Sequence, residues 1–301
     1  MTGIVPLVLF LLRALPSPRA PAILPGPPAP AETLLVSAGW LAAHLGDRSI
    51  TLIQAGRTRE AYDAGHLPGA RFLALSAIVI SRNGLARGVP PAEQLDSVLG
   101  SVGVSDSGRV VIYGDPLAAG RLFFTLDLLG LGGRTALLDG GLDAWRAGGG
   151  LLTTQVPAPV QATLSVRPRS GIVVDADWVR QHLADTSVAL IDARSEEEFR
   201  GDIPGEGVVR PGHIPGAFSL YWLTTLEPGG GPTLKNAEVL RALFRRGGAR
   251  EGRTIVAYCG TGVRSSWLYF VARYLGFEVR LYDGSFIDWS DHDDLPVEAG
   301  R

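Results

Sequence analysis

Thr254-Ile255-Val256-Ala257-Tyr258 runs directly into Cys259-Gly260-Thr261-Gly262-Val263-Arg264, and this stretch sets the reading of the chain. The first five residues lack polar alternation, as expected of a strand buried on both faces. Downstream, Trp267, Leu268, Val271, Tyr274 and Leu275 fall at i, i+1, i+4, i+7 and i+8, one face of a helix, and Gly276 supplies a stop. The spacing therefore predicts strand, tight loop, helix. Amide N–H groups at a helix start have no partner inside the helix and favour an anion above them. Cys259 stands at that point, with two glycines that let the loop curl and an arginine that closes it. A thiolate is stabilised in such a setting, which makes Cys259 a candidate nucleophile. An inert cysteine, packed as a small hydrophobe, calls for neither the Gly-x-Gly nor Arg264.

The surroundings of this stretch occur twice. Leu52-Ile53-Gln54-Ala55 returns as Leu190-Ile191-Asp192-Ala193, and Gly65-His66-Leu67-Pro68-Gly69-Ala70 as Gly212-His213-Ile214-Pro215-Gly216-Ala217. Val110-Val111-Ile112-Tyr113 returns as Ile255-Val256-Ala257-Tyr258, and Asp139-Gly140-Gly141-Leu142-Asp143-Ala144-Trp145 as Asp283-Gly284-Ser285-Phe286-Ile287-Asp288-Trp289. Four segments in one order at near-constant offset indicate a duplicated domain. Short apolar strands alternating with helical stretches predict an α/β fold, each copy a mainly parallel sheet with helices on both faces. We expect domains at 33–155 and 170–301, joined by a Pro-containing linker, 156–169. The first copy has Tyr113-Gly114-Asp115-Pro116 where the second has Tyr258-Cys259-Gly260-Thr261. Without a thiol, the first domain is limited to an interface or one wall of a pocket.

Composition narrows the function classes. Twenty-eight basic against 30 acidic residues give a formal net charge of −2, with no basic excess to favour nucleic acid. The basic residues are nearly all arginine, with Lys235 the single lysine. One cysteine excludes an intrachain disulfide and a cysteine-rich metal site, and the five histidines lack metal-ligand spacing. Residues 1–32 read as a leader. Ile4 to Leu12 is apolar but too short to span a bilayer. It resembles the h-region of a secretory signal, with Ala20-Pro21-Ala22 and Ala29-Pro30-Ala31 as small-residue cleavage sites. No Lys or Arg precedes it, however, and Arg13 follows it. A signal peptide implies export to the periplasm; a misassigned start codon leaves the protein cytoplasmic. Neither reading gives the mature chain a membrane span.

Tandem α/β domains, the Cys-Gly-Thr-Gly-Val-Arg loop, the Gly-His-Ile-Pro-Gly-Ala turn and the Asp-Gly-Ser-x-x-x-Trp segment together resemble the two-domain rhodanese sulfurtransferases, over nearly everything after residue 33. The resemblance implies two rhodanese-like domains, the first inactive and the second carrying the catalytic cysteine, Cys259. It implies a small anionic sulfur donor, thiosulfate or 3-mercaptopyruvate, a persulfide on Cys259, and no metal or organic cofactor. The sulfur would then pass to cyanide, a small thiol or a reduced protein thiol. Gly260, Thr261, Gly262, Val263 and Arg264 would surround the persulfide through their amides. Donor choice stays open. Thr261 two positions after the cysteine resembles the mercaptopyruvate type, whereas Arg264 supplies a cation suited to a sulfonate. Glu198 stands where mercaptopyruvate members have arginine. The Asp and His those members supply from the first domain have no clear counterpart between Ala74 and Val89.

Two further arginines are candidates for the donor's anion. Arg194 follows Asp192 at a strand end, where ligand sites gather in open α/β sheets; an ion pair is its other reading. Arg210 precedes His213 by three residues and could bind an anion bidentately. His66 recurs in the copy without a thiol, so His213 reads as structural rather than as a base. Two rival functions share these residues. Cysteine phosphatases, by resemblance, carry their arginine six positions after the cysteine, whereas Arg264 is at the fifth. Rhodanese-like domains also serve as non-catalytic docking or sulfur-carrier modules.

Overall fold

The computed structural model describes residues 32–82, 85–165, 168–229 and 231–300. In the first domain the order is β1 (Leu35–Val36), α1 (Ala38–His44), β2 (Ile50–Gly56), α2 (Glu60–Ala64), β3 (Arg71–Ala74), β4 (Ile80–Arg82), β5 (Leu85–Gly88), α3 (Ala92–Ser101), β6 (Arg109–Gly114), α4 (Pro116–Leu128), β7 (Thr135–Leu138) and α5 (Gly141–Ala147). The second continues with β8 (Val173–Val174), α6 (Ala176–Gln181), β9 (Val188–Asp192), α7 (Glu196–Arg200), β10 (Phe218–Ser219), α8 (Ala237–Arg246), β11 (Thr254–Tyr258), α9 (Val263–Tyr274), β12 (Val279–Tyr282) and α10 (Ser285–Asp291). Each domain holds a five-stranded, all-parallel sheet, ordered β1-β7-β6-β2-β3 and β8-β12-β11-β9-β10. The two orders superimpose element for element, which is the duplication read from the four repeated segments.

Parallel strands covered on both faces need apolar residues throughout, and β11 and β9 comply. Ile255 to Tyr258 and Val188 to Asp192 are all buried. Tyr258 is in register with Asp192 across the sheet, so the ends of these two strands deliver Cys259 and Arg194 to the same edge. The repeated Asp-Gly segments end in Trp145 and Trp289, both buried. Each indole N–H is satisfied locally, by the Leu151 carbonyl at 3.0 Å and the Pro296 carbonyl at 2.8 Å.

The domains share one core. α9 was expected to bury a single face. Instead Ser265 through Ala272 are all buried, because the side turned away from its own sheet lies against α4 of the first domain. Phe123 meets Phe270 edge to face with centroids 4.9 Å apart, and Phe124 meets Tyr269 at 5.0 Å. Gly120 permits this approach: a β-carbon there would stand 2.8 Å from the Trp267 Cα. Each aromatic buried at this seam contributes on the order of 1.5–3 kcal/mol through the water it sheds.

The domains also exchange arms. The β4–β5 hairpin of the first reaches the second, where the Val89 N–H donates to Asp283 Oδ2 at 2.8 Å. In return a loop of the second domain, closed by a bridge between Leu226 and Leu234, reaches the first, and the Leu234 N–H donates to Asp139 Oδ1 at 3.0 Å. Asp139 and Asp283 are the same position in the two copies, so the exchange is pseudo-symmetric. The stretch expected as a linker runs along the first domain. The Ala162 N–H donates to the Gly100 carbonyl at 3.0 Å, and the Ser165 N–H to Asp106 Oδ1 at 2.8 Å. The expected leader lies outside the described residues except for Glu32. Among the described residues no helix is long and apolar enough to cross a membrane.

Candidate active site

Cys259 follows β11 directly, and α9 begins four residues later at Val263. Gly262 caps the helix in the left-handed region, at φ 85°, and a β-carbon on it would come within 2.8 Å of the Asp283 carbonyl oxygen. Only glycine fits both demands. The turn aims the Gly262 N–H at Cys259 Sγ, 3.1 Å away. The first-turn amides of α9, on Val263, Arg264 and Ser265, have no intrahelical acceptor. The loop's carbonyls face the other way: α10 takes them, with the Phe286 N–H on the Cys259 carbonyl at 2.8 Å and the Ile287 N–H on the Gly260 carbonyl at 3.1 Å. Donors thus converge on the sulfur while acceptors are turned from it, the arrangement that stabilises a negative sulfur.

Two serines that the sequence reading passed over complete this arrangement. Ser265 Oγ lies 3.6 Å from Sγ and can donate to it. Its place in the first turn of a helix opened by the cysteine loop was the available signal. Ser285 accepts the Cys259 N–H at 3.2 Å and donates to the Tyr282 carbonyl at 2.9 Å. It is the only described non-glycine residue at positive φ, 57°, where the first copy has Gly141 at 49°. A serine held in that sparsely populated region marks a local strain retained for its hydroxyl.

Arg264 is committed to a partner. Its guanidinium grips Glu198 with Nη1–Oε2 at 2.5 Å and Nη2–Oε1 at 2.8 Å, a bidentate pair. Burial raises the Glu198 carboxyl, but Arg264's hydrogen bonds and charge, with the Ser195 N–H, outweigh it and hold the group below the usual carboxylate range. Burial works against the Arg264 cation, yet Glu198 and the neighbouring Cys259 push its pKa above the usual guanidinium value. The Glu198 that departs from the mercaptopyruvate pattern is therefore Arg264's counter-ion.

The other two arginines named as candidate donor contacts hold partners within the protein. Arg194 is 1% exposed and bound to Asp192 by Nε and Nη2 at 3.0 and 2.7 Å, and it donates to the Gly212 carbonyl at 2.6 Å. A guanidinium this buried needs the carboxylate beside it as a counter-ion, and Nε and Nη2 are taken up by that pair and the Gly212 carbonyl. Arg210 gathers four carbonyls at the end of α10 and beyond: Ser290 at 3.0 Å, Leu295 at 2.7 Å, Trp289 at 3.2 Å, and His292. It ties down the C-terminal segment. His213 stacks on Phe199 at 3.7 Å as His66 stacks on Tyr62, and its backbone bridges to Glu298, so the two histidines share a structural post. Among the described residues no group of three or more His, Cys, Asp or Glu could hold a metal ion.

An open cleft of about 520 Å³ lies beside the loop. The second domain contributes Gly260, Thr261, Arg264, Glu198 and Glu206; the first contributes Ser81 and Arg87 from the β4–β5 hairpin. Nothing local in the sequence marks Arg87, since its place in the cleft depends on the hairpin crossing to the other domain. Cys259 itself is fully buried, with the adjoining Gly260 and Thr261 lining the cleft.

The first domain's equivalent loop is closed. Asp115 caps α4 with its own carboxylate, accepting the Ala118 N–H at 2.8 Å, so the helix start already holds an anion. Pro232 and Leu234 from the exchanged loop cover it, leaving a void of about 10 Å³.

Comparison with known proteins agrees with this architecture. The chain matches the rhodanese-like domain family twice, over residues 37–148 and 175–292. It is 33% identical over 285 residues to the sulfur carrier protein TtuD of Thermus thermophilus, covering 89% of this chain and 97% of that protein. It is 32% identical to the thiosulfate sulfurtransferase of Azotobacter vinelandii, over 79% of this chain and 87% of the relative. The solved structure of wild-type EanB superimposes with a TM-score of 0.79 at 24% identity, covering 89% of this chain and 70% of EanB, a likeness of fold. The chain belongs to the rhodanese family, as a tandem pair of rhodanese-like domains.

Proposed function

We propose that Cys259 takes the outer sulfur of thiosulfate or 3-mercaptopyruvate and passes it, as a persulfide, to cyanide, a small thiol or a reduced protein thiol. The observation that carries this reading is the Gly262 N–H 3.1 Å from Sγ, with the Ser265 hydroxyl at 3.6 Å: a place built for a negative sulfur. The thiolate attacks the outer sulfur of thiosulfate. An S–S bond forms to Sγ as the bond to the sulfonate breaks, and the electron pair leaves on sulfite. With 3-mercaptopyruvate the C–S bond breaks instead, and the departing carbon takes the thiol proton to give pyruvate. In the second half, cyanide or a thiolate attacks the terminal sulfur, and Cys259 leaves as thiolate. The persulfide divides one transfer into two, so ping-pong kinetics are expected. The loop amides of Gly260 to Arg264, with Ser265, hold the charge on either sulfur as preorganised donors.

Relatives named thiosulfate sulfurtransferase favour thiosulfate as donor. Thr261 in the Cys-Gly-Thr-Gly-Val run keeps 3-mercaptopyruvate as the second reading. A phosphatase reading lacks a free loop arginine, since Arg264 is gripped by Glu198. A pure carrier differs in one observable, giving a single transfer per chain with no turnover on small acceptors.

Steady-state rates with each donor, paired with cyanide and with a thiol, decide among these. The reading expects repeated turnover and parallel double-reciprocal lines with at least one donor. Hydrolysis of p-nitrophenyl phosphate with neither sulfur donor consumed would overturn it.

A further inference from the structure

We infer that Arg87, from the thiol-less first domain, is the anchor for the donor's anionic group and so a specificity-determining residue; this rests on the sulfurtransferase reading above. The argument begins with charge. A sulfonate or carboxylate entering the cleft needs a cation, and the loop's own cation, Arg264, is neutralised by Glu198 at 2.5 and 2.8 Å. Arg194 and Arg210 are held away by Asp192 and by the carbonyls around the end of α10. Glu206 is exposed and adds negative charge to the rim. Among the described residues, Arg87 is the cleft cation with no carboxylate within ion-pair distance. It is half-buried, and a partly desolvated guanidinium without a counter-ion is stabilised by an anion that arrives.

Position supports the same role. The backbone at and just after Arg87 is fixed across the domain interface. Its carbonyl accepts from Arg121 Nη2 at 2.9 Å, and the next amide but one, on Val89, donates to Asp283 Oδ2 at 2.8 Å. Asp283 also holds Arg121 Nη1 at 2.8 Å, and its carbonyl oxygen lies against Gly262 of the cysteine loop. The backbone of Arg87 and the thiol loop are thus referenced to one residue, which fixes where the guanidinium is rooted relative to the sulfur. When the thiolate takes the outer sulfur, the leaving sulfite gathers the electron pair that bound it, and Arg87 faces that growing charge.

The test compares the full chain with Arg87→Gln and Arg87→Lys for thiosulfate turnover with cyanide. A control, Arg48→Gln, removes one exposed charge beside the N-terminal end of β2. The inference expects Arg87→Gln to raise KM for thiosulfate about tenfold or more, the scale of one lost charge-assisted contact. KM should rise more than kcat falls, with partial rescue in Arg87→Lys and a weaker dependence of kcat/KM on salt. A thermal midpoint unchanged from the parent shows that the hairpin still docks. Wild-type KM and salt dependence in Arg87→Gln, or an equal change in Arg48→Gln, overturn the inference while leaving the sulfurtransferase reading intact. A parent protein inactive with both donors sinks that reading instead.

Discussion

At the scale of single residues the site consists of one sulfur and the groups that tolerate its charge. Ser265→Ala removes a hydroxyl 3.6 Å from Sγ and nothing from the core, so it should slow persulfide formation about fivefold, the value of one modest hydrogen bond. Stopped-flow loading with thiosulfate reads this directly, and an unchanged rate would assign Ser265 to packing. Glu198 carries the pH dependence. Its carboxyl is depressed in the folded state, so the stability it contributes is fully present above the unfolded value of about 4.3 and is lost as pH falls through the folded value. Glu198→Gln should cost about 1–3 kcal/mol at neutral pH by stripping Arg264 of its counter-ion. The gap between parent and variant should shrink below about pH 4.3. Denaturant melts across pH 3–7 test it, and a constant gap would contradict the assignment.

At the scale of elements, the β11–loop–α9 unit was legible because its signals are local. An unbroken apolar run, two glycines and a helical period need no tertiary information. The partners of the arginines were not legible, because each depends on residues brought from other elements. Arg264 meets Glu198 from α7, and Arg210 meets carbonyls 79–85 residues away. A guanidinium near a strand end looks the same in sequence whether it binds a ligand or ties down a loop. Ser285 was hidden for a related reason. Its left-handed φ is visible in the first copy as Gly141, but a serine there gives no warning. Gly262→Ala tests the unit's geometry. A β-carbon at φ 85°, 2.8 Å from a backbone oxygen, should cost about 1–3 kcal/mol of strain and move the amide off the sulfur. Activity should fall further than the melting temperature implies. Full activity in Gly262→Ala would mean that the amide does not hold the charge.

At the scale of the whole molecule, the duplication has been divided into a sealed copy and one that keeps the thiol loop, and the domains are locked by exchanged arms and a common core. The shared core was not legible either: the α9 pattern gave one buried face, and only docking on α4 explains the other. Gly120→Ala should therefore behave unlike most helical Gly→Ala changes. These usually stabilise by about 0.4–1 kcal/mol. Here the added carbon meets the Trp267 backbone at 2.8 Å, and the seam should lose about 1–3 kcal/mol while unfolding stays a single transition. A split into two transitions in calorimetry would mean the halves are independent. The most direct measurement on the central claim is the intact mass of the protein after thiosulfate treatment. The account predicts a gain of one sulfur atom, mapped to Cys259, absent in Cys259→Ser, and removed by cyanide with one thiocyanate released per chain. Turnover of thiosulfate by Cys259→Ser, or a parent protein that turns it over without ever carrying the added sulfur, would contradict it.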